Sequence, residues 1–400
     1  MKLLYCGFKQ KFIKKDGNYY SIGSVPYFLP SLSKFFEKVY LMVPVSTYMV
    51  NGVSKLTDAQ QLQVVETKAY KNRYLWYMQS YFWSFRNMLR FKELQDKADI
   101  VLIVIPPAVT YLAYIPIINK PLVTFIVGDE QEVIEASDSL IVKIERFICF
   151  SKFRELIEKY LVKKSDAIIC RNNRFKEKLI QKYDIPESKI NVIFSYVKAN
   201  IFKPLTPNEK EKIKRDLRLK DDDIVVGFVA TYISPSKGAD DLIEAFERMK
   251  REYPTIKLLL IGEDKIGIPK NDSIIHCGLV KREKLLDYYS VMDIFVFPSR
   301  SEGTPKVVME ACACGIPVIS TKVGGIPELV KEKHNGFLVN PGDVDAIVDH
   351  CKMLLNDVEL RNIMGKKARE YAVENFDFDK LVKRTADVIK GVLNENERKR

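Results

Sequence analysis

The sequence is short of the residues that build metal and disulfide sites. Its seven cysteines, at positions 6, 149, 170, 277, 312, 314 and 351, form no CxxC and no paired spacing, so neither a zinc ribbon nor a disulfide scaffold is written into it. The three histidines, His276, His334 and His350, stand apart from one another and from any cysteine or carboxylate cluster, and no protein-held metal is expected. No amino-terminal signal peptide is visible, which together with unpaired cysteines points to a reducing, cytoplasmic setting. Low-complexity tracts are missing apart from the charged tail NENERKR, and nothing recurs at a solenoid period, which excludes array architectures. The one long apolar run, Ile100 to Ile118, is broken by Pro106, Pro107 and Pro116. Prolines there interrupt a helix, so the run reads as a strand over Ile100–Ile105, a turn and a helix, without a membrane span.

Acids are in deficit too. Against 64 Lys and Arg stand 52 Asp and Glu, a net charge of +12, which calls for a polyanionic neighbour such as nucleic acid, an anionic membrane or a phosphorylated ligand. From Ala69 to Leu94, Arg and Lys interleave with aromatics, and both tryptophans, Trp76 and Trp83, fall there. The pattern fits a helix on a lipid surface, stacking on single-stranded nucleic acid, or a core-facing helix with its basic side chains in water.

What the chain has in quantity is alternation of short apolar runs with helical stretches. Four hundred residues, 47% of them apolar, suffice for two full domains. Strand candidates in the first half are Lys2–Cys6, Val39–Val45, Ile100–Ile105, Leu122–Val127, Ala167–Cys170 and Ile190–Phe194. Several are apolar at consecutive positions, as strands covered on both faces require. A charged segment, Lys198 to Asp223, interrupts the series, which restarts with Ile224–Ala230, Ile256–Gly262, Ser273–Cys277, Ile294–Pro298, Pro317–Thr321 and Gly336–Val339. Alternation of this kind gives right-handed βαβ units and parallel sheets. The expected fold class is therefore α/β, with two doubly wound, Rossmann-like domains over residues 1–200 and 201–375 and a terminal segment over 376–400.

Chemistry concentrates in SEGTPKVVMEACACGIP, Ser301 to Pro317. Thr304 is suited to cap a helix, Pro305 to open it and Gly315 to close it, predicting one short helix over Pro305–Cys314 between two strands. Glu310 then lies on that helix and Glu302 in the loop at the preceding strand's carboxyl end, where open α/β sheets bind ligands. Taken singly, Glu302, Glu310 and Lys237 read equally well as exposed surface charge.

Taken together, PSRSEGTPKVVMEACACGIPVISTKVGGIPELV resembles the donor-site signature of group 1 glycosyltransferases (glycosyltransferase family four). The likeness extends to SPSKG at Ser234–Gly238, LLLIGE at Leu258–Glu263, CGLV at Cys277–Val280 and NGFLVNPGD at Asn335–Asp343. In the first half it includes KSDAIICRNNRFKEKL and KINVIFSYVKANIFKP, so it covers nearly the whole chain. The resemblance implies the GT-B arrangement, two facing Rossmann-like domains with a carboxyl-terminal helix crossing back to the first. It implies retaining transfer of a sugar from a nucleoside diphosphate sugar, a UDP- or GDP-sugar, to a hydroxyl of a lipid-linked or polysaccharide acceptor, with no bound cofactor or metal. Glu310 would hold the ribose hydroxyls, and Glu302 would lie beside the transferred sugar. Gly303, Thr304 and Pro305 would meet the sugar or diphosphate at the helix amino end, Lys237 would neutralise the leaving diphosphate, and Val280 would lie near the base.

The sequence departs from the family's pattern in three places. Thr231 stands where the family usually has an arginine six positions before the lysine, leaving Arg300 and Lys306 as nearby cations. The first loop, KKDGNYYSIGS, matches the usual glycine pair only loosely through Gly17 and Gly23. In IVGDEQE, Asp129 stands where a histidine is usual and becomes the candidate polar group near the acceptor or donor sugar, reading equally as a structural loop acid. Gly324-Gly325 reads equally as site lining or as turn chemistry. The partners implied are the nucleotide-sugar donor, a saccharide or lipid-linked acceptor and an anionic membrane surface at the inner face of the cell membrane, with no nucleic acid. A nucleotide-sugar epimerase or a phosphorylase of the same fold, and a non-catalytic nucleotide-binding module, remain as alternatives.

Overall fold

Consecutive apolar residues become interior parallel strands because a strand with helices on both faces has no wet side. In the computed structural model the described residues are 1–7, 12–16, 18–22, 25–46, 53–56, 59–68, 88–105, 115–126 and 151–398. Gly17, Gly23, Trp76, Trp83, Asp129 and the start of the helix expected after Pro107 lie outside them. The chain forms two compact units, Met1–Ile193 with Asp379–Arg400, and Phe194–Phe378.

In the first unit the strands are β1 (Lys2–Cys6), β2 (Phe12–Lys15), β3 (Asn18–Ile22), β4 (Lys38–Ser46), β5 (Val53–Lys55), β6 (Leu62–Lys68), β7 (Ile100–Ile105), β8 (Leu122–Ile126), β9 (Ala167–Cys170) and β10 (Ile190–Val192). They lie in the order β10-β9-β8-β7-β1-β4-β2-β3-β5, with β6 also paired to β4. The strands read from apolar runs pair in parallel. One expectation fails: KKDGNYYSIGS, read as a loop, supplies the antiparallel pair β2–β3, and β5 adds antiparallel to β3. Asp-Gly between two β-rich runs is a hairpin turn signal, and Asp16 takes the left-handed conformation, φ 50°, that such a turn needs. The helix Phe378–Arg398 buries Leu381, Val382, Ala386, Ile389 and Val392 on one stripe.

The second unit has β11 (Ile224–Ile233), β12 (Ile256–Asp264), β13 (Ile274–His276), β14 (Ile294–Phe297), β15 (Val318–Thr321) and β16 (Gly336–Val339). Their order is β13-β12-β11-β14-β15-β16, every pair parallel. This is the Rossmann strand order, in which the winding reverses between β11 and β14 and opens a crevice at their carboxyl ends.

Both sheets use the same device to start strands. An aspartate just upstream of one strand accepts the backbone N–H at the start of its neighbour: Asp99 from Lys2 at 2.7 Å, Asp166 from Leu122 at 2.8 Å, and Asp293 from Val225 at 2.8 Å. Each closes a donor that sheet pairing leaves open. Asp293 is the most buried of these acids, and burial raises its pKa above the usual carboxylate range. Asp293→Ala leaves the Val225 N–H unpaired and should destabilise the second unit by about 1–3 kcal/mol, whereas Asp293→Asn keeps an acceptor and should cost less than half as much. Urea unfolding followed by fluorescence and circular dichroism would show this ranking, and equal losses would count against the device.

Candidate active site

The crevice between β11 and β14 is filled by loops whose backbones touch. Gly238 ends the segment after β11 at φ 68°, and a Cβ there would sit 1.9 Å from the Pro298 carbonyl oxygen, just past β14. Gly324, after β15, has φ 54°, and its Cβ would lie 1.6 Å from the Glu302 carbonyl oxygen. Only glycine fits either approach. The Gly325 N–H then donates to the Gly303 carbonyl at 2.6 Å. Of the two readings of Gly324-Gly325, the structure therefore places the pair against the Glu302–Gly303 backbone.

This stacking brings Lys237 and Glu302 together across the switch point. Lys237 Nζ lies 2.5 Å from Glu302 Oε1, and Ser299 Oγ is 2.9 Å from the same oxygen. The carboxylate is 12% exposed and the lysine side chain 33%, so the pair is partly shielded but reachable from solvent. Thr231, where the family's pattern has an arginine, is exposed on β11 within a register shift between Val229 and Tyr232. Arg300 does not stand in as an open cation. Its guanidinium takes both oxygens of Asp240 at 2.8 and 3.0 Å, Asp241 Oδ1 at 2.7 Å and the Pro235 carbonyl. Lys306 lies over the Tyr196 ring, 5.0 Å from its centroid.

The helix carrying Glu310 spans Lys306–Ala313, one residue shorter at each end than the sequence suggests, and Thr304 is not its cap. Pro305 has an extended ψ of 120°, so it takes the flanking N-cap position itself, without a side-chain capping bond. Gly303 and Thr304 precede it, Gly303 exposed. Gly315, at φ 77°, closes the far end as expected: its N–H bonds Cys312 O at 2.9 Å and that of Ile316 bonds Ala311 O at 3.1 Å, the Schellman pattern.

Glu310 is 3% exposed. Oε1 accepts from Arg282 Nη2 at 2.9 Å and Oε2 from the Tyr289 hydroxyl at 3.2 Å. Burial pushes the carboxyl above the usual range, opposed by Arg282, by Lys306 and by the Tyr289 bond. Burial, with Glu310 beside it, likewise raises the Tyr289 hydroxyl well above its ordinary value. Arg282 and Tyr289 were not foreseen, because nothing local in KREKLLDYYS ties them to an acid 28 and 21 residues downstream. Val280, half-buried against the core, lies two residues before Arg282 in the same loop. Among the described residues no group of three His, Cys, Asp or Glu is placed to hold a metal ion.

The buried acid makes a pH-dependent prediction. Because the folded pKa of Glu310 lies above the unfolded one, the folded state binds more protons between the two values, and stability falls as pH rises through that window. Glu310→Gln removes the penalty while keeping an acceptor for Tyr289, and Arg282, half-exposed, remains hydrated. The variant should be more stable than wild type by roughly 0.5–2 kcal/mol at pH 7.5, with the gap narrowing towards pH 4.5. Denaturant titrations at the two pH values would show it, and a constant gap would mean that burial does not set this carboxyl's pKa.

Comparison with known proteins gives the chain's family and fold likeness. Residues 209–371 match the family model described as glycosyl transferases group 1. N-acetyl-alpha-D-glucosaminyl L-malate synthase of Bacillus anthracis is 26% identical over 220 residues, 53% of this chain and 56% of that protein. The capsular polysaccharide biosynthesis glycosyltransferase CapM of Staphylococcus aureus is 28% identical over 256 residues, 61% and 66%. The chain thus spans less than two thirds of the length of these curated relatives. The crystal structure of Anabaena Alr3699/HepE in complex with UDP superposes with a TM-score of 0.69 at 16% identity, covering 98% of this chain and 100% of that one, a likeness of fold. With this match over residues 209–371 on a Rossmann-ordered sheet, that part of the chain is similar to the group 1 glycosyltransferases, and the chain has the GT-B fold.

Proposed function

We propose that the protein is a retaining glycosyltransferase that moves a sugar from a UDP- or GDP-sugar to a hydroxyl of a saccharide or lipid-linked acceptor. The observation that carries this reading is the Lys237–Glu302 pair at the switch point, with Glu310 one helix turn inward of the same loop. A departing nucleoside diphosphate develops negative charge, so a positioned ammonium acts where the transition state differs most from the ground state. Lys237 takes that role, assisted by the backbone N–H groups of Gly303 and Thr304 beside Pro305 at the amino end of the Glu310 helix. Glu302 lies beside the transferred sugar, and Glu310 accepts from the ribose hydroxyls, for which an ionised carboxylate has lone pairs to spare. Val280 borders the base.

The donor class is supported by the fold neighbour that was solved with UDP. The acceptor class is supported by a relative named for capsular polysaccharide biosynthesis, and the relative named as an L-malate synthase makes small hydroxyl acids the natural counter-screen. The +12 charge suits work beside an anionic membrane surface on the cytoplasmic side. Among the described residues no helix is long and apolar enough to cross a membrane. Asp129 is retained as the acceptor-side group and Gly17 as a donor contact.

Calorimetry against UDP, GDP, ADP and their common sugar conjugates tests the reading. Wild type should bind one nucleotide series selectively. Glu310→Ala should weaken nucleosides and nucleotides alike, by about tenfold for a lost charged hydrogen bond. Lys237→Met should weaken only ligands with a β-phosphate. Glu302→Gln should bind the donor within a few-fold of wild type yet lose at least about a hundredfold in transfer, the scale of one transition-state group. Donor turnover without any acceptor or phosphate, giving an epimerised nucleotide sugar, would favour the epimerase alternative.

A further inference from the structure

Lys237 ends a three-residue 3-10 turn, Pro235–Lys237, that has no side-chain cap. Its local backbone bonds are those of Lys237 N–H to Ser234 O at 3.0 Å and Gly238 N–H to Pro235 O at 2.9 Å. A lysine on so short a turn, with a flexible four-carbon stem, would not by itself hold its ammonium at one place. The tie comes from the opposite loop. The Arg300 N–H donates to Ser236 O at 3.0 Å, and the Arg300 guanidinium grips the Pro235 carbonyl, both oxygens of Asp240 and one of Asp241. Asp240 and Asp241 form the first turn of the helix Ala239–Lys250. Arg300 thus joins the turn that carries Lys237, the helix behind it, and the loop that carries Glu302 two residues later.

We propose that Arg300 is the positioning residue of this site, fixing Lys237 against Glu302 by fork-shaped hydrogen bonds to Asp240 and Asp241 rather than by touching the donor. The proposal rests on the reading of Lys237 and Glu302 as donor-site groups. Charge supports it: one guanidinium facing two carboxylates leaves a local excess of negative charge, a poor place for a diphosphate. Chemistry supports it as well, since a planar fork can clamp a carboxylate and a carbonyl at once, which an ammonium cannot. Asp241 is itself buried, and among the described residues Arg300 is the cation bonded to it, so Arg300 helps to keep that acid in place.

The test uses Arg300→Met, Arg300→Lys and Asp240→Asn in the full chain. Asp240 is 45% exposed on its side chain, so its isosteric variant should fold even where the arginine variants are impaired. Hydrogen exchange without ligand is read first at Lys237 and Gly238, where Arg300→Met should speed exchange by about tenfold relative to amides in β12. Calorimetry then compares UDP with UMP, and GDP with GMP. Arg300→Met should weaken whichever diphosphate wild type binds by about tenfold and leave the monophosphate unchanged, a split that general loosening would not produce. Asp240→Asn should weaken the diphosphate in the same direction by a few-fold, and Arg300→Lys should recover part of the loss. Tighter diphosphate binding in Asp240→Asn would overturn the proposal, because it would mean that a released Arg300 contacts the phosphates. Unchanged exchange in Arg300→Met would overturn it too. If wild type binds neither UDP nor GDP, the donor reading fails, and the exchange experiment alone decides whether Arg300 holds the turn.

Discussion

The site depends on backbone lying on backbone. Where β11 and β14 diverge, the turn after one strand and the loop after the other would ordinarily be kept apart by side chains. Two residues without Cβ atoms, Gly238 and Gly324, allow contacts that any other residue would block at under 2 Å. Once those backbones touch, the rest is constrained: Lys237 meets Glu302, Ser299 completes the same oxygen's partners, and Arg300 finds Pro235, Asp240 and Asp241 within reach. The polar groups are arranged by packing, and the packing is set by conformational freedom that only glycine supplies.

Glu310 shows the cost of the arrangement. A helix of eight residues with six buried would be most stable with an apolar side chain at that position, since an acid out of water is penalised until it is bonded. Arg282 and Tyr289 offset part of the penalty without abolishing it, which is why the carboxyl remains shifted upward. A group kept where stability alone would not place it is a mark of function. Arg282 also reaches in from the surface, with its side chain 51% exposed, so the compensating charge stays in contact with solvent.

What could be read from the sequence follows from how local each determinant is. Strands covered on both faces were legible, β1, β7, β9 and the edge strand β16 to the residue, because such burial forces an unbroken apolar run. The hairpin of β2 and β3 was hidden: Phe12-Ile13-Lys14-Lys15 is apolar and then basic, with no alternation to mark it, and only the Asp-Gly step signalled a turn. Thr304 has the residue type of a cap, whereas Pro305, extended in ψ, occupies the position. Glu302 and Glu310 stand out by their places at a strand end and on the helix that follows, whereas Lys237, and a role for all three, come only from the resemblance to the donor-site signature. Arg282 and Tyr289 did not, since their partnership with Glu310 closes through space over more than twenty residues.

The substitution of Thr231 for a second cation sharpens what the remaining pair must do. With Arg300 neutralised by two aspartates, charge compensation at the crevice centres on Lys237, which in this structure is already bonded to Glu302. In the proposed reaction the donor diphosphate, carrying more charge than a single carboxylate, competes for that ammonium and draws it away. Glu302 is then released beside the sugar at the moment the leaving group is engaged. Under that proposal one cation shared between two anions would couple diphosphate binding to exposure of the carboxylate. A turn held from outside by Arg300 fixes the base of the Lys237 side chain, so that only its flexible stem would move between the two anions.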